Sequence, residues 1–381
     1  MTPLPRAEFA VTDKYVYLNH ASAGVLPRSS IDAIERFARG AGAGGVLSTF
    51  AHDLRMPEYR ERIGRFIGAR GSDIAMIPAT GTGAHVVALG LDWKPGDEVL
   101  LAGDDFPANV VPWLALRRRG VTVRFIRVGQ GRLTPDCLRA EMSRQTRVVA
   151  LSWISYADGY RHDLGGLAEV AHRSNALLCV DAMQGLGALP LDVRALDLDA
   201  VYSGAAKWML ALHGVGFVYV SPRMSERLEL AVPGWRSMRD MWDFSNYDQP
   251  YAAEAMRFEG GTPNLIGTLS IVSAIELFER GGKAAIATHV LNLTDRLCED
   301  LRRMGAELLT VRGEYESSGI VTFRIPGRDS IELGHALELR GIITTYRPFG
   351  IRMSPHGYNT EAEIGAALDT LREFARIPVR A

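Results

Sequence analysis

Lys207 follows the small residues "SGAA" and precedes the apolar "WMLAL". A charged ammonium is seldom buried in such company unless it is paired or neutralised. Asp181 closes the apolar run "LLCVDAM", and Gln184 follows three residues later. An acid at the tip of a buried strand calls for a cation or metal opposite it, or for a helix start to cap. A desolvated amine gives up its proton and becomes a nucleophile toward aldehydes. A carboxylate, in turn, can hold a pyridine nitrogen protonated. Pyridoxal 5'-phosphate chemistry uses both groups. Lys207 would carry the aldehyde as a Schiff base. Asp181 would keep the ring cationic, able to accept the electrons left when a bond at a substrate Cα breaks. Gly204, Ala205 and Ala206 would leave room for the ring. Taken singly, each residue has a plainer reading: an exposed loop lysine and a helix cap.

Such a cofactor also needs a seat for its phosphate. The stretch "PATGTGAHVVALG" reads as a strand end followed by Gly81, Thr82 and Gly83 opening a helix, and backbone N–H groups at a helix start bind anions. The same turn is compatible with a simple helix cap. It also resembles the beginning of a dinucleotide fingerprint, but Val86 stands where the third glycine belongs. A nicotinamide-dependent oxidoreductase is therefore a rival reading, one that leaves Asp181, Gln184 and Lys207 unexplained. A catalytically silent protein that keeps the fold for binding is another.

The elements that must position these residues alternate. Residues 73–79, 98–106, 121–128, 147–155, 176–183 and 214–220 read as strands, several nearly continuous in apolar character, as in strands covered on both faces. Helix-like segments at 109–120 and 163–175 lie between them. The alternation predicts an α/β layer structure with a mostly parallel sheet, whose ligands sit beyond the carboxyl ends of the strands. After residues 260–267 come a long helical pattern, a second helix over 284–304, a strand at 318–325, a helix near 330–340, a strand at 341–347 and a final helix over 360–376. This tail reads as a smaller α/β domain. The segment up to about residue 30 is assigned to neither lobe by pattern alone.

The chain has 381 residues, more than one core usually holds, so two lobes are expected. A net charge of −1 gives no reason to expect nucleic acid or a membrane surface as partner. Cys137, Cys179 and Cys298 are widely separated, fit neither a disulfide framework nor a metal site, and suit a reducing compartment. With no apolar run of membrane length and no signal-like N-terminus, the expected location is the cytoplasm.

Together, "YLNHASAG", "VDAMQG", the lysine segment running to "HGVGFVYV", "RFEGGTPN" and "IRMSPHGYNTEAEI" resemble the class V aminotransferase superfamily, over nearly the whole chain. The resemblance implies a fold-type I pyridoxal phosphate enzyme. Its large domain would span residues 15–265 and its small domain 266–381, with residues 1–14 possible companions of the latter. It implies Lys207 as the Schiff-base lysine, Asp181 as partner of the ring nitrogen and Gln184 as donor to the ring's phenolic oxygen. Gly81, Thr82 and Ser203 would hold the phosphate, joined by Thr262 from a second subunit of a homodimer. Phe106 takes the position that stacks on the ring, where relatives often carry His. Tyr156 matches a desulfurase Asn near the ring oxygen. Arg352 matches the clamp for the substrate carboxylate, with Arg347 a competing clamp and His20 at the substrate mouth. Packing roles stay open for Phe106 and Tyr156, a surface ion pair for Arg352 and a helix-capping role for Thr262.

Three departures from the superfamily pattern stand out. Ala206 precedes the lysine where His or Tyr is usual. Ser203 lies four residues before the lysine rather than three. The loop 343–356, "ITTYRPFGIRMSPH", has no cysteine, whereas desulfurases of this superfamily carry their persulfide on a loop cysteine. A dedicated cysteine desulfurase is therefore disfavoured. The expected reaction is external attack by a small amino acid on the aldehyde, followed by Cα-proton removal by Lys207. Transamination or β-elimination, including C–S cleavage, would follow. Epimerisation and desulfurase-like activity are the alternatives.

Overall fold

Strands form where an apolar run is buried on both faces, because each face then supplies every second side chain with neighbours. The structure, a computed structural model, describes residues 2–103, 105–126, 132–313 and 315–375. Strand β1 (Val16–Tyr17) lies near the N-terminus. The main sheet is built from β2 (Ile74–Ile77), β3 (Glu98–Ala102), β4 (Thr122–Ile126), β5 (Thr146–Ser152), β6 (Leu177–Asp181), β7 (Ala200–Gly204) and β8 (Gly216–Val220). Their order is β2-β8-β7-β6-β5-β3-β4, with β8 antiparallel to both neighbours and the remaining pairs parallel.

Alternation along the strands divides them between two cores. Ile74, Leu100, Leu151, Val180 and Phe217 join one cluster, together with helices Met56–Phe66, Leu164–Arg173 and Leu265–Gly281. Ala75, Leu101, Ala150, Cys179 and Val218 join the other, with helix Thr80–Gly90. The strands come out a little shorter than the apolar runs predict. The run expected at 121–128 is strand through Ile126, and positions 127–128 lie outside the described residues. The segment 109–120, expected as one helix, is broken into short turns around Val111–Leu114, with Pro112 in its first turn.

A second sheet follows from β9 (Glu307–Leu308), β10 (Val321–Arg324), β11 (Ile342–Ile343), β12 (Thr345–Arg347) and β13 (Gly350–Met353). Its antiparallel order is β12-β13-β10-β9, and β11 pairs instead with β1 in parallel. A third core lies here, between the sheet and helices Lys283–Arg303 and Glu361–Ala375, and Leu18 from the N-terminal segment belongs to it. Helix Leu265–Gly281 buries Ile271, Ile275 and Phe278 in the core of the main sheet, so the expected division between 265 and 266 falls in the first turn of a helix of the large-sheet core.

Candidate active site

Because all strands but β8 run one way, the carboxyl ends of β2, β3, β5, β6 and β7 share one edge. Asp181 is the last residue of β6 and pairs in register with Tyr202 of β7; Lys207 follows three residues after that strand ends. Asp181 is 4% exposed, and its Oδ1 accepts the Met183 N–H at 2.8 Å. Burial raises its pKa above the ordinary carboxyl range, and the neighbouring Asp105 carboxylate adds to the rise. Burial lowers the Lys207 pKa, the attraction of Asp181 opposes that, and Arg352 lowers it further. The two groups thus sit within each other's field, and the amine is eased toward its neutral, nucleophilic form.

Asp105 was not singled out from the sequence, yet it organises this edge. It accepts from the Phe106 N–H (2.7 Å), the Ser152 N–H (2.7 Å), the Ser152 hydroxyl and Asn109 Nδ2 (2.8 Å). Burial still raises its pKa. These bonds fix the backbone of Phe106, whose ring centroid lies 5.4 Å from Lys207 Nζ and which meets Tyr156 edge-on at 5.3 Å. The ring is 43% exposed, so Phe106 is not core packing.

Gln184 has its amide orientation set by chemistry. The Trp208 indole can only donate, and it donates to Oε1 at 2.9 Å; the Ala21 carbonyl can only accept, and Nε2 donates to it at 3.0 Å. One amide proton is left uncommitted among the described residues. Helix Thr80–Gly90 presents Gly81 and Thr82 in its first turn, both partly exposed. Thr80, also unread from the sequence, accepts the Gly204 N–H at 2.9 Å and so ties that helix start to the end of β7. Ser203 donates its hydroxyl to the Gly204 carbonyl at 2.7 Å and is buried. Gly24 is a third missed residue. Its N–H donates to the Ala206 carbonyl at 2.8 Å, and a Cβ there would lie 2.0 Å from the Lys207 carbonyl oxygen.

Over this edge lies a cavity of about 280 Å³. Phe106, Tyr156, Gln184 and Lys207 line it from the main sheet, Ser22 from the N-terminal segment, and Thr322, Thr345, Arg347 and Arg352 from the second sheet. Arg352 donates to the Tyr156 carbonyl and to Ser22 Oγ, both at 2.7 Å, while its buried Nε has no hydrogen-bond partner. Burial, then the charge of Arg347, lowers its pKa to about 10. No ion pair is found for Arg352 among the described residues, which removes the surface ion-pair reading.

Two expected residues fall elsewhere. His20, expected at the substrate mouth, is fully buried behind the wall, bonded to the Ser354 carbonyl and the Tyr358 hydroxyl, both at 2.9 Å. Its neighbours Ala21 and Ser22 line the cavity instead. Thr262 is exposed and outside the cavity of its own chain. Nor does it cap the next helix, where Asn264 Oδ1 accepts the Gly267 N–H at 2.9 Å.

The aminotransferase class-V family model matches residues 16–364. The chain belongs to this family. A probable cysteine desulfurase of Methanothermobacter thermautotrophicus is 28% identical over 393 residues, covering 97% of each chain. A cysteine desulfurase of Shigella flexneri is 28% identical over 406 residues, covering 98% of each. Among solved structures, C-DES with glycine covalently linked to its pyridoxal phosphate superposes with a TM-score of 0.89 at 24% identity, over 97% of this chain and 99% of that one.

This class-V protein is a pyridoxal phosphate enzyme of the fold-type I architecture. Its side chains suit that cofactor. A buried carboxylate and an amine eased toward neutrality meet at one edge, an amide with a proton to spare and an exposed aromatic face adjoin the amine, and a helix start lies beside them.

Proposed function

We propose that the enzyme cleaves the Cβ–S bond of a small sulfur-containing amino acid by β-elimination, releasing the sulfur as a free thiol rather than passing it to a protein cysteine. The observation carrying this reading is the lining of the cavity: it joins Lys207 to two arginines and contains no cysteine. Cys179 and Cys298 are buried in the cores and Cys137 lies on helix Pro135–Glu141, away from the cavity. The 28% identical relatives carry the name cysteine desulfurase, which supports chemistry at a C–S bond. A desulfurase proper needs a thiol in reach of the substrate sulfur.

In this reading Lys207 and Asp181 would hold the cofactor at its aldehyde and ring nitrogen. Gln184 would serve its phenolic oxygen and Phe106 its ring. Gly81, Thr82 and Ser203 would receive the phosphate. When bound, the cofactor supplies an acceptor for the electron pair released at Cα. Arg352 takes the substrate carboxylate with its two-pronged guanidinium. Lys207 would take the Cα proton as general base. The sulfur then departs from Cβ with the bonding pair and picks up a proton. A homodimer with Thr262 reaching the partner's phosphate seat, and a cytoplasmic location consistent with three unpaired thiols, complete the proposal.

Product analysis tests it. The purified holoenzyme is expected to yield pyruvate and ammonia in step with sulfide from L-cysteine, and in step with cysteine persulfide from L-cystine, whose S–S bond stays intact. Alanine as the carbon product would mean desulfuration. Amino transfer to an added keto acid without sulfur release would mean an aminotransferase. Either result overturns the proposal.

A further inference from the structure

We infer that Arg347 recognises a second carboxylate, at the far end of the substrate's side chain, so that the preferred substrates are amino acids with two acidic groups bridged through sulfur. The inference rests on the substrate cavity proposed above, though not on which bond is broken there. Arg352 and Arg347 belong to one hairpin. Arg352 of β13 stands opposite Thr345 of β12, and Arg347 opposite Gly350. Arg347 is therefore two positions beyond Thr345 on the same strand face, the diagonal neighbour of Arg352, about 7–8 Å away across the ladder. Both line the cavity, Arg352 half-buried, Arg347 exposed beside Phe349.

Two guanidinium groups this close repel each other, and the charge of Arg347 is among the causes that lower the Arg352 pKa. Among the described residues neither has a carboxylate partner, although most other arginines around the molecule do. Arg352 keeps a buried Nε without a partner. One monocarboxylate seated on Arg352 would satisfy the inner charge alone. A ligand with carboxylates at both ends of a five- or six-atom chain could pair with both. Thr322 and Thr345 line the same cavity.

The test is binding to the holoenzyme, followed through the absorbance of its cofactor. The ligands are L-2-aminoadipate and its side-chain amide, which have the required length and no leaving group on Cβ. Charge-assisted pairing predicts that the diacid binds about tenfold tighter or more. Arg347→Gln is expected to bring the two affinities together, and Arg347→Lys to restore a preference. Equal affinities in the wild type, or a preference that survives in Arg347→Gln, overturn the inference. S-Carboxymethyl-L-cysteine separates the two readings. Preferred binding of the diacid without pyruvate from this thioether leaves Arg347's role standing and removes the lyase reading. Pyruvate from it and from its amide at equal efficiency does the reverse.

Discussion

At the scale of single residues, Asp181 has a cost and a use that differ in sign with the state of the enzyme. Burial raises its pKa, so over the pH range just above the ordinary carboxyl value the folded apoprotein keeps a proton that the unfolded chain has lost. Stability then falls as pH rises through that window. Asp181→Asn removes this dependence. The apo variant should melt above the apo wild type at neutral pH and level with it in acid. With cofactor bound, the proposed role sets the carboxylate opposite a cationic ring nitrogen, and the order should invert. Turnover should fall on the order of 100-fold or more, because the lost charge is one that stabilises electrons leaving Cα. Melting curves of apo and holo forms across pH, with steady-state rates, check both halves. An unchanged order in the holo form would place Asp181 away from the ring nitrogen. Lys207→Ala should abolish turnover, and borohydride reduction should then leave the cofactor unattached to the chain, as mass spectrometry would show.

Elements set how near these residues come, and here glycine is decisive. Gly24 lies in a segment with no strand of its own, yet its N–H bonds to Ala206 and its Cα abuts the Lys207 carbonyl. Gly24→Ala should lower stability by about 1–3 kcal/mol through forced backbone shift and weaken cofactor binding as the lysine loop moves. Gly42, inside helix Arg28–Gly44 with nothing near a new Cβ, is the control: Gly42→Ala should stabilise by about 0.4–1 kcal/mol. Chemical denaturation and a cofactor titration distinguish the two. The same contrast explains what could be read without coordinates. Buried runs such as "LLCV" announce strands because both faces are apolar, and the carboxyl end of that run points to Asp181. β7 is harder to see, since "AVYSG" ends in small polar residues. Gly24, Thr80 and Asp105 matter through contacts with chain more than 40 residues away, and no local pattern marks them. His20 sits in the sequence beside two cavity residues, but its ring packs inward against Tyr358 and His356.

Across the whole molecule, the main unspent surface is aromatic. Trp235, Trp242, Phe244, Tyr247 and Tyr251 are exposed, Tyr247 by 85%, and Phe50 packs against Trp242 at 5.4 Å. Patches of this kind mark contact surfaces. The Arg236 N–H bonds to the Gly260 carbonyl at 3.2 Å, which makes this patch continuous with the loop carrying Thr262. A second copy seated here would bring Thr262 toward the partner's phosphate seat. That arrangement has a consequence that a self-contained site lacks. Pair a Lys207→Ala subunit with a Thr262→Glu subunit. The lysine of the second would then face the intact threonine of the first, giving one sound site per mixed dimer. Random exchange between equal amounts makes about half the dimers mixed, so about a quarter of all sites should be sound. Activity near that fraction of wild type, from two variants each nearly inactive alone, would require shared sites. If the mixture is no more active than its parts, each site belongs to one chain, and Thr262 lies on an outer surface with no part in holding the phosphate.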